Sequence, residues 1–146
     1  MSKVEQAVER FGKGFNCSQA VLGSYREQFG LDCENALKVA TGFGGGMRMA
    51  ETCGAVTGAF MVLGLKFGNI TAEDKTAKAK TYEKVEEYTT RFIARNGSIM
   101  CRDLLACDIS TPEGMKKAQK DGLFDSVCPK MVRDAAEILE EILTEK

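Results

Sequence analysis

Thr52-Cys53-Gly54-Ala55-Val56-Thr57-Gly58-Ala59-Phe60-Met61-Val62-Leu63-Gly64-Leu65 runs without a charge until Lys66. A membrane-spanning helix needs roughly 18 to 20 apolar residues, so this stretch is too short to span and reads as a helix buried in a protein core. Gly54 and Gly58 stand four apart on one face, with Ala55 and Ala59 on its flank. Glycine in a helix interior costs roughly 1 kcal/mol relative to alanine. Something must therefore approach that face closely, either another helix or a bulky inorganic group.

Outward from this core helix, expected over about Thr52 to Phe67 and ended by Gly68, helical signals dominate and strand signals are weak. Upstream, Val4, Ala7, Val8 and Phe11 form one stripe of a helix from about Ser2 to Phe11. Asn16 is an N-cap candidate for a second helix that Gly30 closes, and Asp32 can cap a short third one through Ala40. Downstream, Thr71 with Asp74 three residues on suggests a capping box for a long helix reaching Arg95. Its alternating charges read as a solvated face. Ser98 can cap a short helix through Leu105, Pro112 starts another after Thr111, and Pro129 opens the last, to about Leu143. The apolar positions of that last helix, Val132, Ala135, Ile138, Leu139 and Ile142, suit core, with a dimer face as the alternative. The expected fold is all-α: one domain over residues 1–146, a bundle of about six to eight helices with a glycine-rich loop before the central helix.

Composition narrows the chemistry. With 146 residues, 44% of them hydrophobic, the chain suits one soluble domain with a sizeable core. The absence of histidine removes Ser/His and Cys/His catalysis, His-ligated zinc enzymes and haem sites with an axial His. A net charge of −1 gives no reason to expect nucleic acid or an anionic membrane surface as partner. The first residues, Met1-Ser2-Lys3-Val4-Glu5-Gln6, lack the apolar run of a signal peptide, so a cytoplasmic location is expected. In that compartment thiols stay reduced, which moves weight from structural disulfides toward metal binding or redox duty.

Six cysteines then require an explanation: Cys17, Cys33, Cys53, Cys101, Cys107 and Cys128. Four of them fall at the cap or first turn of an expected helix, Cys17 after Asn16, Cys53 after Thr52, Cys101 three residues after Ser98, and Cys128 before Pro129. Free backbone N–H groups and the helix dipole at that end favour thiolate over thiol. Thiolate is the form that binds soft metals and attacks disulfides. The competing reading is that buried cysteines serve as small hydrophobes. It is kept for Cys33, which follows Asp32, and for Cys107, which lies past a helix end.

Gly44-Gly45-Gly46-Met47 admits backbone conformations closed to other residues, and its N–H groups could converge on an anion or on cluster sulfides; a plain sharp turn is the alternative. No Lys-Ser/Thr pair follows, so it is not a phosphate-binding P-loop, and the G-x-G-x-x-G spacing of a dinucleotide site is absent. Arg48 and Glu51 flank the loop, expected to pair with each other at the surface, with a substrate anion as the alternative partner.

Asn16-Cys17-Ser18-Gln19-Ala20-Val21, Gly44-Gly45-Gly46-Met47, Cys53-Gly54-Ala55-Val56-Thr57-Gly58, Cys101 with Leu104-Leu105, and Cys128-Pro129 together resemble the bacterial and archaeal family of redox-active proteins labelled C_GCAxxG_C_C. The likeness runs from Phe15 to about Leu143, with Cys53 aligned to the central cysteine of the label. It implies a small redox protein whose site is Cys17, Cys53, Cys101 and Cys128, and it implies no substrate.

Three functions fit these residues. In the first, the four thiolates hold an iron-sulfur cluster for electron transfer, with Gly44, Gly45, Gly46, Gly54 and Gly58 lying against the cofactor. The spacings of 36, 48 and 27 residues match no familiar ferredoxin run, so the ligands would come from separate helices. In the second, two of the cysteines cycle as a thiol-disulfide oxidoreductase; no C-x-x-C pair is present, so the pair would be distant in sequence. In the third, four cysteines form a structural zinc module, which usually relies on closely spaced pairs. The redox partner is left open, an oligomer is compatible with the sequence, and membrane insertion is not expected.

Overall fold

Short amphipathic segments strung around one uncharged helix can hide it only by surrounding it. The computed structural model, which describes residues 1–145, shows that arrangement. α1 (Lys3–Gly12) is capped by Ser2, whose hydroxyl accepts from the Glu5 N–H at 3.1 Å. α2 (Cys17–Tyr25) runs into a tight 3-10 turn, Arg26–Phe29, closed by left-handed Gly30. α3 (Cys33–Thr41) starts at the Asp32 cap. The glycine-rich loop leads to the core helix α4 (Gly54–Phe67), and α5 (Lys75–Asn96) follows. α6 (Cys101–Leu105), α7 (Pro112–Lys120), the single turn α8 (Leu123–Ser126) and α9 (Cys128–Thr144) complete the described chain. Among the described residues, eight helices have five or more residues, and the only strand pairing is one isolated antiparallel bridge between Thr52 and Met100. No helix among them is long and apolar enough to cross a membrane.

Local chemistry moves three expected boundaries. The core helix starts at Gly54 rather than Thr52, because Thr52 is taken by the bridge to Met100. The long helix starts at Lys75 rather than Thr71, because Asp74 is its cap, the carboxylate accepting from the Ala77 N–H at 3.1 Å. α6 starts at Cys101, since the Ser98 hydroxyl is occupied in the turn before it, accepting from the Met100 N–H at 2.9 Å and donating to Asp103 at 2.7 Å.

α4 is buried on most of its circumference, through Gly54, Ala55, Val56, Gly58, Ala59, Val62 and Leu63. α2, α5 and α9 all pack on it, α2 most extensively. That contact depends on two residues without side chains. A Cβ at Gly58 would meet the Ser18 carbonyl oxygen at 2.9 Å, and one at Gly54 would meet the Phe43 carbonyl oxygen at 2.9 Å and the Cys17 Cβ at 3.3 Å. The neighbour inferred from the small-residue stripe is therefore another helix. The approach leaves the Ser18 hydroxyl buried without a hydrogen-bond partner, a cost that the surrounding packing offsets.

α9 closes the bundle. Val132, Ala135, Ile138, Leu139 and Ile142 are all buried, which settles that face as core rather than dimer surface. Two buried phenols lock neighbours to it: Tyr25 of α2 donates to the Glu140 carboxylate at 2.8 Å, and Tyr88 of α5 donates to the Ala135 carbonyl at 2.9 Å. Part of the charged face of α5 is also engaged, with Arg91 and Arg95 bridging to Glu137 and Glu141 of α9.

Two glycines of α4 separate packing from propensity. Gly58→Ala should destabilise the protein by about 1–3 kcal/mol through overpacking against α2. Gly64→Ala, where a Cβ meets nothing within 4 Å, should stabilise it by roughly 0.5–1 kcal/mol. Urea denaturation of both variants checks the opposite signs.

Candidate functional site

Each of the four helix-start cysteines is placed by a different local device. Cys17 is the first residue of α2, behind a reciprocal capping box: Asn16 Oδ1 accepts from the Gln19 N–H at 2.9 Å, and Gln19 Oε1 accepts from the Asn16 N–H at 3.0 Å. The remaining amide groups of both residues reach the end of α3, Asn16 donating to the Thr41 carbonyl and Gln19 to the Leu37 carbonyl and the Thr41 hydroxyl. The cap thus fixes α2 against α3 as well as starting it.

Cys53 and Cys101 are set by one strap of backbone. The Cys53 N–H donates to the Ile99 carbonyl at 2.7 Å and the Cys101 N–H donates to the Glu51 carbonyl at 2.6 Å, on either side of the Thr52–Met100 bridge. This pairing joins segments 48 residues apart and puts Cys53 at the cap of α4 and Cys101 at the first residue of α6. Cys128 is the first residue of α9, directly ahead of Pro129.

The four thiols line a single cavity of about 260 Å³, together with Gly44, Gly45, Gly46 and Gly54. Each cysteine is 6–8% exposed, so the sulfur atoms are sheltered but not sealed. Gly58, expected beside them, does not line the cavity; it serves the α2–α4 contact instead. The upper walls are apolar, with Phe11, Leu104, Ile109, Met115 and Phe124. Among the described residues no three Cys, Asp or Glu side chains surround a common point at which one metal ion could sit.

The thiols do not ionise alike. Cys17 touches both Cys128 and Cys53, and these contacts, with burial added, push its thiol well above the ordinary range. Cys53 moves the other way: contact with the protonated Cys17, helped by the Ala55 and Val56 N–H groups at the start of α4, lowers it against the effect of burial. Burial raises Cys101 to about 12, with the neighbouring Cys53 and Cys128 sulfurs adding to the rise. Of these three thiols, Cys53 alone is shifted toward the thiolate. Helix-start placement alone does not decide ionisation, as Cys17 and Cys101 show.

Cys33 is half-buried at the start of α3, and not the core residue expected of it. Cys107 is buried, its thiol donating to the Gly114 carbonyl at 3.0 Å. Neither lines the cavity.

The glycine loop is more unusual than a sharp turn. Gly45, Gly46, Met47 and Arg48 all have φ between 59° and 64°, one turn of left-handed helix, and Ala50 follows at 55°. For Met47, Arg48 and Ala50 this conformation costs about 1–2 kcal/mol each. Gly46 admits no side chain, since a Cβ there would meet the Glu51 nitrogen at 2.4 Å. The turn is held from below by Arg102, which donates to the Ala50 carbonyl at 3.0 Å and pairs with the Glu51 carboxylate. The expected Arg48–Glu51 pair is thus replaced by Arg102–Glu51, because reversal of the chain through the left-handed turn puts Glu51 beside α6. Nothing in the sequence beyond Gly45-Gly46 signals this turn, and the apolar walls were equally hidden, being assembled from α1, α6, α7 and α8.

A family model described as "Putative redox-active protein (C_GCAxxG_C_C)" matches residues 15–142, nearly the whole chain. No curated protein and no solved structure matches.

The raised Cys101 gives a pH test. Because the folded state holds this proton more tightly than an ordinary thiol near 9.0, its contribution to stability is complete below about pH 9 and is lost as the pH rises toward 12. Stability measured by urea denaturation should fall above pH 9, and the Cys101→Ala variant should fall less steeply, by about one proton in the slope.

Proposed function

The chain belongs to the C_GCAxxG_C_C family, and from that footing we propose that it is a thiol-based oxidoreductase in which Cys53 and Cys17 form the working pair. The observation that carries this reading is that Cys17 and Cys53 line the same cavity as neighbours whose thiols are shifted in opposite directions, Cys53 toward thiolate and Cys17 toward thiol. A nucleophile and a second thiol that resolves its adduct are what disulfide exchange requires. In the proposed cycle the Cys53 thiolate attacks one sulfur of a small-molecule disulfide, forming a mixed disulfide and expelling the other sulfur as thiolate. The Cys17 proton passes to that leaving group, and the Cys17 sulfur then attacks the Cys53 sulfur. The second half of the substrate leaves as thiolate and takes a proton from solvent. Two electrons move from the protein to the substrate, which ends as two thiols, while Cys17 and Cys53 end as a disulfide. A dithiol reductant restores them. Cys128, which also neighbours Cys17, is a second thiol within reach of the same partner.

A second reading has its own support. Cys101, the fourth thiol on the cavity, has no part in the pair, and four cysteines from four segments are the ligand complement of an iron-sulfur cluster. Cys17, Cys53, Cys101 and Cys128 would hold it, and it would supply one-electron transfer. A cluster spreads its ligands over several iron atoms, so it does not demand the common centre that a lone zinc ion needs.

Anaerobically purified protein separates the readings. The dithiol reading expects colourless protein that loses two free thiols on treatment with a small disulfide, with Cys17 linked to Cys53 in peptide maps and no such loss in Cys53→Ser. Stoichiometric iron with visible absorption, abolished in Cys53→Ser, would replace it with the cluster reading. For the dithiol, the pH midpoint of Cys53 alkylation by iodoacetamide should lie below the usual thiol range near 8.5, and Cys17→Ala should raise it.

A further inference from the structure

The cavity has a feature that electron exchange among the thiols leaves unused. Of the residues lining it, Arg48 alone is charged; otherwise the lining is thiol, glycine, apolar side chains, Asn16 and Thr41. Among the described residues Arg48 makes no ion pair, since Glu51 is taken by Arg102. Nor is it among the groups that shift Cys53 or Cys101; the cation beside Cys101 is Arg102. Yet its position is held at some expense, in the left-handed turn with φ 59°. Backbone strain that the surroundings hold in place is a pointer to function. The turn folds the arginine stem back over Gly45, where a Cβ would lie 3.6 Å from Arg48 Cδ and 3.2 Å from Ile109 Cδ1. The guanidinium arm thereby shares a lip with the apolar wall.

We infer that this cavity binds a small organic anion, an apolar body of a few to about ten heavy atoms ending in one carboxylate, with the body against Phe11, Leu104, Ile109 and Phe124 and the carboxylate on Arg48. The volume of about 260 Å³ falls just below the ~300 Å³ at which drug-sized ligands begin. Guanidinium is the side chain whose planar fork matches a carboxylate. The four thiols lie in the same cavity, so a ligand seated there is in reach of Cys53. That the ligand is one half of the substrate disulfide rests on the dithiol reading; that it binds does not.

The test uses calorimetry on the reduced full-length protein with octanoate, its uncharged isostere octanamide, and acetate. Octanoate should bind at least about tenfold more tightly than octanamide, the size expected for one charge-assisted contact, and acetate, with no apolar body, should not bind detectably. In Arg48→Gln the preference for octanoate should vanish while octanamide binds as before, which also shows that the variant is folded. Equal binding of octanoate and octanamide to the wild type, binding of neither, or a preference that survives Arg48→Gln would each overturn the inference. Repeating the titration on Cys53→Ser, which cannot exchange electrons, keeps the two proposals apart. Failure of the dithiol appears in the thiol count and leaves octanoate binding intact, whereas failure of the anion site appears in the titration and leaves the thiol count unchanged.

Discussion

Backbone can lie against backbone only where no side chain intervenes, and the rest of this molecule depends on one place where that happens. Gly54 and Gly58 bring α4 against Ser18 of α2. Two helix starts thereby meet side by side, and the residue at each start is a cysteine. A larger residue at either glycine would move the helices apart by the thickness of a side chain and separate Cys17 from Cys53. The same contact positions the core, because α4 brings its buried valines and leucine to α5 and α9 from this anchor. Packing and chemistry therefore share a cause.

The thiols show how neighbouring charges outweigh local dipoles. A helix start offers roughly half a positive charge, and all four cysteines sit at one. If each ionised, four thiolates would share a small, poorly hydrated cavity, and their mutual repulsion would exceed what the dipoles return. The thiols diverge instead: Cys53 is lowered, supported by the N–H groups of Ala55 and Val56, while Cys17 and Cys101 are raised. Both directions of shift arise from one constraint.

The left-handed turn is the fold's counterweight to this economy. Met47, Arg48 and Ala50 occupy a conformation that L-residues avoid. They stay there because their surroundings leave no room to relax, with Gly46 pressed on Glu51, and Glu51 and Ala50 tied to Arg102. The backbone strap from Glu51 and Cys53 to Ile99 and Cys101 extends the same clamp into the thiol group. Loop, strap and cysteines are therefore tied together by hydrogen bonds, and Arg48 lines the cavity beside them.

The helices, most of their caps and the placement of four cysteines at helix starts were legible in the sequence, because each follows from short-range chemistry. Asn16 and Gln19 specify a capping box within four residues, Pro129 opens a helix, and an uncharged stretch must be buried. Where a cap competed with a longer-range partner, as at Thr52 and Ser98, the boundary shifted. The tertiary structure alone decided in which direction each thiol shifts, that Glu51 pairs with Arg102 rather than Arg48, and that walls from four helices enclose the cysteines. These outcomes depend on distances between segments up to 111 residues apart, from Cys17 to Cys128, and on burial. Neither quantity exists until the helices have packed.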